Sequence, residues 1–295
     1  MDLKAYLDAR RATVDAALDG VLPPETIEPA TIHRAMRYSV LAPGKRLRPI
    51  LVIAGAEAVG GRADTVLDTA CALELIHAYS LIHDDLPAMD DDDYRRGRLT
   101  SHKVFGEAMA ILAGDALLTL AFRLVATNAA RVAPAALVGT VVAEIADAAG
   151  TDGMVGGQVV DIASEGKSIS PEMLDYIHLH KTAALIRAAL RVGALLAGAP
   201  AEHVEAISRA GQALGLAFQI VDDILDVEGS LAELGKSAGS DERKKKATYP
   251  SLHGLPASKL RARELTEETK RLLIPLGSSA DPIRALADFV FERRS

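Results

Sequence analysis

Two aspartate-rich segments contain the side chains best suited to chemistry. They are Asp84-Asp85-Leu86-Pro87-Ala88-Met89-Asp90 and Asp222-Asp223-Ile224-Leu225-Asp226. Carboxylates this crowded repel one another and do not all ionise unless cations neutralise them. Ligation by oxygen alone, without a cysteine or histidine cluster, indicates a hard divalent ion, Mg²⁺ first. Magnesium completes its shell with water and substrate phosphates, so the pattern predicts a phosphate-bearing substrate.

The first segment lies where a predicted helix over 63–85 ends. His77 and Asp84 share one face of that helix, about two turns apart. The proline at position 87 disfavours further helix, so we expect the chain to turn and to bring Asp90 back toward Asp84. A solvated helix end is the alternative for this run, and its apolar neighbours argue against it. An EF-hand calcium loop is excluded because its glycine and distal glutamate are absent.

The second segment belongs to a polar stripe on a predicted helix over 201–228. Five of its residues recur at steps of three and four: Gln212, Gly215, Gln219, Asp222 and Asp226. We expect this stripe on the buried side of a helix rich in Ala, Leu and Phe, where polar atoms need partners. A central cavity with metal and water would supply them.

Basic residues near both segments indicate an anion. Pro49 suits the first position of a helix, which would place the basic run before it at a helix N-terminus, where free amides favour a diphosphate. Taken singly, Arg95 and Arg96 could simply neutralise the acidic residues 90–93, and Lys45, Arg48 and Lys181 could be surface cations. Their joint occurrence favours anion binding. The basic residues are Lys45, Arg46, Arg48, Arg95, Arg96 and Lys181, with Gly44 and Thr182 next to them in sequence. The basic stretch 235–248 is either a mobile lid or a solvated loop.

Composition predicts an all-α fold for these elements. Hydrophobic residues make up 49% and aromatic residues 4%, without Trp, and Ala, Leu, Ile and Val dominate, a mixture that favours helix packing. The net charge of −7 argues against nucleic-acid binding, and we find no apolar run that suggests a membrane span. Cys71 is the only cysteine, which excludes an internal disulfide, and there is no signal-type stretch at the N-terminus, so we expect a cytoplasmic protein.

Helix-period segments follow one another along the chain, and the Gly or Pro breaks between them are short, as between antiparallel helices. One such break is Gly153–Gly157. Nothing resembles a linker, so we expect one domain over 1–295. The predicted helices cover 2–19, 29–41, 49–59, 63–85, 104–130, 134–150, 171–197 and 201–228, with shorter pieces to 294.

The two segments and their neighbours resemble a known family. Asp84-Asp85-x4-Asp90 followed by Arg95-Arg96-Gly97, and Phe218-Gln219-x2-Asp222-Asp223-x2-Asp226, are similar to the two aspartate-rich motifs of trans-isoprenyl diphosphate synthases. The similarity spans about residues 40 to 250 and is greatest to short bacterial farnesyl diphosphate synthases. It implies a bundle of long, mostly antiparallel helices around a central cavity, and a homodimer.

The resemblance also implies a role for each site residue. Three Mg²⁺ ions, which Mn²⁺ could replace, would be held by Asp84, Asp90 and Asp222, with Asp85, Asp223 and Asp226 as further ligands or neighbours. The allylic diphosphate would contact Arg95, Lys181, Lys236 and Lys246. Isopentenyl diphosphate would contact Gly44, Lys45, Arg48, His77 and Arg96. Lys181, Thr182 and Gln219 would be the catalytic residues, with Thr182 and Gln219 facing the allylic carbon.

The implied reaction is head-to-tail condensation of isopentenyl diphosphate with dimethylallyl or geranyl diphosphate. Cations stabilise the departing diphosphate, the isopentenyl double bond attacks the allylic cation, and proton loss restores an alkene. The expected product is C15, with C20 and C10 as alternatives. Tyr79 lies about 7 Å deeper than Asp84 along the helix, and Ser80 lies more directly below it. The resemblance implies that an aromatic residue at position 79 goes with a C15 product, so Tyr79 is expected to limit chain length, with Ser80 and Ile76 also shaping the cavity floor.

Three other functions fit less well. A di-iron bundle would use Glu74-x-x-His77, but it needs a second such pair, and the chain has none. A terpene cyclase would typically show an Asn/Ser/Glu triad in place of the second acidic segment. An inactive partner subunit tends to lose the aspartates that are all present here.

Overall fold

The computed structural model describes residues 1–228 and 246–293, which are almost entirely helical, so the predicted all-α class is confirmed. The helices are α1 Leu3–Val21, α2 Ala30–Val40, α3 Leu47–Glu57, α4 Ala63–Asp84, α5 Ser101–Phe105, α6 Glu107–Val132, α7 Ala135–Ala149, α8 Met154–Ser164, α9 Pro171–Ile177, α10 Ala184–Leu196, α11 Ala201–Glu228, α12 Tyr249–His253, α13 Leu255–Leu272 and α14 Asp281–Glu292. A π-helical segment, His178–Ala183, joins α9 to α10, and a 3₁₀ segment covers Ile274–Ala280. The single domain over 1–295 stays a prediction.

The helices that carry the two acidic segments lie on opposite sides of a central pair. α3 packs against α10, α4 packs against α3 and α6, and α11 packs against α10 and α13. The π-helical segment contacts both α8 and α11. Buried aliphatic side chains such as Leu51, Leu73 and Leu190 form the core between these helices. This arrangement brings the C-terminal half of α4 and that of α11 toward the π-helical segment and α8.

Three predicted helix boundaries need correction. The predicted helix 104–130 is divided at Gly106, which adopts a φ of 83° between α5 and α6. The predicted helix 171–197 contains the π-helical segment. The expected break at Gly153–Gly157 is instead the start of α8. In each case the sequence pattern locates helical chain but does not reveal how tightly it is wound or how closely it approaches a neighbour.

A short hairpin follows the first acidic segment. Tyr94–Arg95 and Arg98–Leu99 pair as two antiparallel strands. Arg96 and Gly97 form the connection and have φ values of 54° and 75°. Two consecutive positive φ angles define the type I′ turn that suits a two-residue hairpin loop, and glycine adopts such angles without strain. The turn places the adjacent arginines at different sides of the acidic segment.

Two helices among the described residues, α4 and α6, are long and apolar enough to cross a membrane by length and composition alone. This corrects the expectation that no such stretch exists. In α4, 61% of the apolar window is buried inside the protein, as in the core helix of a globular fold. Two such helices do not establish a membrane span.

Glycines set the close approach of the central pair, α3 and α10. A Cβ added at Gly55 would overlap the Leu190 carbonyl oxygen, and one added at Gly193 would overlap the Val52 carbonyl oxygen. Both obstacles are backbone atoms, so neither can move without separating the helices. The pair therefore requires glycine at both positions.

We predict that Gly193→Ala lowers the free energy of unfolding by about 1–3 kcal/mol, because it overpacks this contact. The matched control is Gly139→Ala on the exposed face of α7, where nothing lies within 4 Å of the added Cβ. Since alanine favours helix over glycine, the control should stabilise the protein by up to about 1 kcal/mol. Urea denaturation measures both changes. Equal stability of the two variants would contradict this account of the α3–α10 contact.

Candidate active site

The first acidic segment adopts the turn that its proline predicts. Asp84 is the last residue of α4, and the Asp90 backbone N–H donates to the Asp84 carbonyl oxygen at 2.8 Å. Burial raises the pKa of Asp84, and the nearby Asp90 carboxylate raises it further, whereas Lys181 acts in the opposite direction. A bound cation would relieve this strain between like charges. The prediction that Asp90 folds back toward Asp84 is confirmed.

Asp85 points to a different partner from Asp84. Its side chain is buried, and Arg95 Nε donates to Asp85 Oδ1 at 2.6 Å. Burial raises the pKa of Asp85, and the guanidinium partly offsets that rise. Arg95 also lies 3.4 Å from Asp92. The hairpin thus holds Arg95 against the acidic segment that precedes it.

The basic run before α3 begins differently from our expectation. α3 starts at Leu47, so Pro49 occupies the third helical position and not the first. Arg46 precedes the helix with a left-handed φ of 52°. Its buried guanidinium donates to Glu74 and Asp15, at 2.8 Å in each case. Arg46 is therefore a structural anchor, and the bonds it makes support its unfavourable backbone conformation.

Arg96 meets this basic run across the site. Its Nη1 donates to the Pro43 carbonyl oxygen at 3.1 Å. A Cβ added at Gly44 would lie 2.5 Å from the same nitrogen. Gly44 thus leaves the space that the guanidinium occupies. The basic run before α3 and Arg96 of the hairpin, separate in sequence, thus form one positively charged region of the site.

His77 lies in this positively charged region. It lines a cavity with Arg46, Glu74, Asp85, Arg95 and Arg96. Burial lowers the pKa of His77 well below its usual value, and Arg48 and Arg96 add to the shift. The imidazole is therefore neutral at neutral pH and can donate one hydrogen bond. Arg48 contributes a buried Nε that has no hydrogen-bond partner among the described residues.

Lys45 extends from the same run toward the second acidic segment. Its pKa is lowered by burial and by Arg293, while Asp222 acts to raise it. Arg293, near the C-terminus, stacks over Phe218 at 4.1 Å and lies 3.5 Å from Asp222. Lys45 thus lies within electrostatic reach of Asp222, whereas Arg48 and Arg96 act on His77.

The three aspartates of the second acidic segment differ in how far they are exposed to solvent. Asp222 is partly exposed, whereas Asp223 and Asp226 are buried. Asp223 accepts hydrogen bonds from Gln219 at 3.2 Å and from the Tyr249 backbone N–H at 2.8 Å, and His178 Nε2 lies 3.3 Å away. These contacts hold the Asp223 carboxylate in one position.

Gln212 departs from the predicted polar stripe. It is exposed, so the expectation that it shares the buried side of α11 is wrong. The three- and four-residue steps place it on the same face as Asp226 only approximately, and over several turns that face leaves the core.

The π-helical segment carries Lys181 and Thr182. The Thr182 hydroxyl donates to Gln219 Oε1 at 2.8 Å, and Gln219 in turn donates to Asp223. A π-helical segment inserts an extra residue into a helix and often lies at a functional site. Here Thr182 contacts Gln219, one turn before the second acidic segment, whereas Lys181 lies within electrostatic reach of Asp84 in the first.

Two site residues on α8 were missed by the sequence analysis. Gln158 Nε2 donates to Asp84 Oδ1 at 3.0 Å, and Asp161 pairs with Lys181 and Lys246. The available signal was two polar residues three positions apart among apolar ones. The glycines before them resembled a break and concealed this signal.

The remaining predicted residues have these positions. Tyr79 is buried with its ring edge toward His83 at 5.7 Å, and burial followed by Asp84 raises its pKa to about 12. The Ser80 hydroxyl forms a hydrogen bond within its own helix, since it donates to the His77 carbonyl oxygen at 2.9 Å. Lys236 lies outside the described residues.

The donor set fits a hard divalent ion completed by the substrate. Within residues 1–228 and 246–293, no three acidic, histidine or cysteine side chains converge to hold an ion unaided. Asp84 and Asp90 from one side and Asp222 from the other would supply single carboxylates. Mg²⁺ commonly takes one or two protein carboxylates and fills its octahedron with water and phosphate oxygens.

The chain is similar to known proteins over almost its whole length. Residues 29–272 match the family model described as polyprenyl synthetase. The chain belongs to that family. It is 48% identical over 295 residues to the geranylgeranyl diphosphate synthase of Cyanophora paradoxa, covering 100% of this chain and 97% of the relative. A prenyl diphosphate synthase activity follows for the chain.

Solved structures agree with this membership. The geranylgeranyl pyrophosphate synthetase of Pyrococcus horikoshii superposes with a TM-score of 0.89 at 32% identity, covering 99% of this chain and 98% of that one. The FPP/GFPP synthase of Zymomonas mobilis gives a TM-score of 0.87 at 34% identity, covering 98% of this chain and 99% of that one. The expected isoprenoid-synthase type of helical bundle is confirmed.

We predict that Asp84→Ala and Asp222→Ala each lower kcat for prenyl transfer by at least about 100-fold, because electrostatic stabilisation of the leaving group is the main catalytic effect. Excess EDTA should abolish turnover of the unchanged protein. Asp147→Ala, at an exposed position of α7, is the control and should retain full activity. Losses below tenfold in both site variants, or full activity in EDTA, would contradict the metal-centred site.

Proposed function

We propose that the protein condenses isopentenyl diphosphate with an allylic diphosphate in a Mg²⁺-dependent reaction and releases inorganic diphosphate. The observation that supports this most is the grouping of cations into two sets. Arg48 and Arg96 surround His77, whereas Lys181 and Lys246 share Asp161. Two cationic pockets beside one pair of acidic segments suit two diphosphates and one reacting centre.

The first set would bind isopentenyl diphosphate. The buried Nε of Arg48 needs an acceptor, and a diphosphate oxygen would supply one. His77, neutral among arginines, would donate one further hydrogen bond. Lys45, which extends toward Asp222, would pair with the outer phosphate. The isopentenyl double bond would then project toward Thr182 and Gln219.

The second set would bind the allylic diphosphate. Lys181, Lys246 and Arg95 would hold its phosphates, and Asp84, Asp90 and Asp222 would hold Mg²⁺. When bound, the metal supplies Lewis-acid stabilisation of the departing diphosphate. Lys236 is proposed for the same set on the resemblance alone.

Side chains of α11 and the π-helical segment would face the charge that develops on the allylic carbon. The Thr182 proton is committed to Gln219, so the lone pairs of the hydroxyl oxygen remain available to stabilise a cation. Attack by the isopentenyl double bond then forms the new C–C bond. The departed diphosphate would accept the proton, since no described side chain is evidently placed for that task.

For product length we propose C20 first and C15 second. The C15 product that the sequence predicts is less well supported than C20, because the whole-length relative in Cyanophora paradoxa and the solved synthase of Pyrococcus horikoshii are both named for geranylgeranyl products. A similarity over the whole chain takes in every residue that shapes the cavity, whereas a C15 product is supported by a single side chain. The specific observation that favours C15 is Tyr79, a buried ring within electrostatic reach of Asp84.

Chromatography of the products from dimethylallyl and isopentenyl diphosphates tests this proposal. We expect C20 from the unchanged protein, and a clean stop at C15 would favour the second candidate. Tyr79→Ala should lengthen the product by at least one C5 unit, since it removes a buried ring below Asp84, at a stability cost of a few kcal/mol, about 3–5. Ser80→Phe should shorten the product. If Tyr79→Ala stays folded by thermal melting and its product is unchanged, the ring does not limit chain length.

The homodimer and the cytoplasmic location stay predictions. Ile111 and Leu112 on α6 are 43% and 50% exposed, and a second subunit would bury such apolar area.

A further inference from the structure

One carboxylate on α8 contacts two lysines that come from distant parts of the chain. Asp161 Oδ2 lies 2.6 Å from Lys181 Nζ and 3.1 Å from Lys246 Nζ. The side chains of Asp161 and Lys246 are each only 13% exposed. Ion pairs this sheltered are screened less than surface pairs and hold a defined geometry.

The backbone of α8 is pressed against the π-helical segment at this point. A Cβ added at Gly157 would overlap the Lys181 backbone nitrogen. Gly157 and Asp161 are four residues apart and so share one face of α8. The glycine contact therefore fixes the distance from which Asp161 reaches the Lys181 ammonium group.

The two lysines determine the charge state of Asp161. Burial alone would raise the pKa of Asp161, but Lys181 and Lys246 outweigh it and hold the pKa below its usual value. The carboxylate is therefore ionised at neutral pH. Glu165, the next acid, lies 3.7 Å from Lys246 and is more exposed. Lys246 is also attracted by Asp90, and Lys181 acts on Asp84, so the two ammonium groups that Asp161 holds also face the first acidic segment.

We propose that Asp161 is a positioning residue that holds Lys181 and Lys246 together and directs them at the allylic diphosphate. The inference rests on the proposed function of these lysines. Without the shared carboxylate the two ammonium groups repel and their long side chains separate. Binding the diphosphate would then require both side chains to be ordered again, which weakens binding.

Steady-state kinetics with each substrate varied in turn provide the first test. Asp161→Ala should raise KM for the allylic diphosphate by about tenfold while KM for isopentenyl diphosphate stays within about twofold. Asp161→Asn keeps an acceptor oxygen for the ammonium groups and should recover part of the loss. If the alanine variant fails to fold, the Asp161→Asn variant provides the test instead. Asp147→Ala is the matched control at an exposed aspartate. Equal increases in both KM values would overturn the inference.

A double-mutant cycle with Lys246→Ala distinguishes positioning from general support of the fold. If Asp161 acts through the lysine, Asp161→Ala changes allylic KM much less in the Lys246→Ala background. Calorimetric binding of inorganic diphosphate with Mg²⁺ should show the same coupling without turnover. Additive effects in both assays would refute the inference. An unchanged protein that transfers no prenyl group refutes the proposed function instead, so the two failures are distinguishable.

Discussion

Repulsion among partly buried carboxylates is the constraint on which the rest of this structure depends. Burial raises the pKa values of Asp84 and Asp85, so each needs a cation nearby to remain ionised. The fold supplies such cations from distant segments. Arg95 comes from a hairpin and lies against Asp85, and Lys181 comes from the π-helical segment and acts on Asp84. Arg46, from the turn before α3, likewise neutralises the buried Glu74. The fold thus places a cation beside each of these buried carboxylates.

Departures from regular backbone geometry concentrate where these cations are placed. Arg46 has a left-handed φ of 52°, Arg96 has a φ of 54°, and Lys181 lies in the π-helical segment. Each departure has local support, from the buried Glu74 pair, the type I′ turn and the close contact with α8, respectively. These contacts anchor Arg46 in the protein and preorganise Arg96 and Lys181 for a ligand.

Sequence reasoning succeeded where local chemistry decides the structure. The helix ends after Asp84 because a proline follows, and composition alone indicates helices without sheets. It failed where a distant neighbour decides. The glycines at 153–157 resemble a helix break, yet Gly157 is small because the Lys181 backbone lies against it. The periodicity that groups Gln212 with the acidic stripe gives a helix face but does not show how far along that face burial extends. The π-helical segment leaves no recognisable signal.

The central claim is that the acidic segments of α4 and α11 bind divalent metal together with a diphosphate. A crystal structure with Mn²⁺ and inorganic diphosphate, phased to reveal anomalous scattering from manganese, tests it most directly. The account predicts manganese peaks about 2.0–2.2 Å from Asp84, Asp90 and Asp222 carboxylate oxygens, with the diphosphate bridging them beside Lys181. Diphosphate bound without manganese at either acidic segment, or manganese bound only elsewhere, would contradict it.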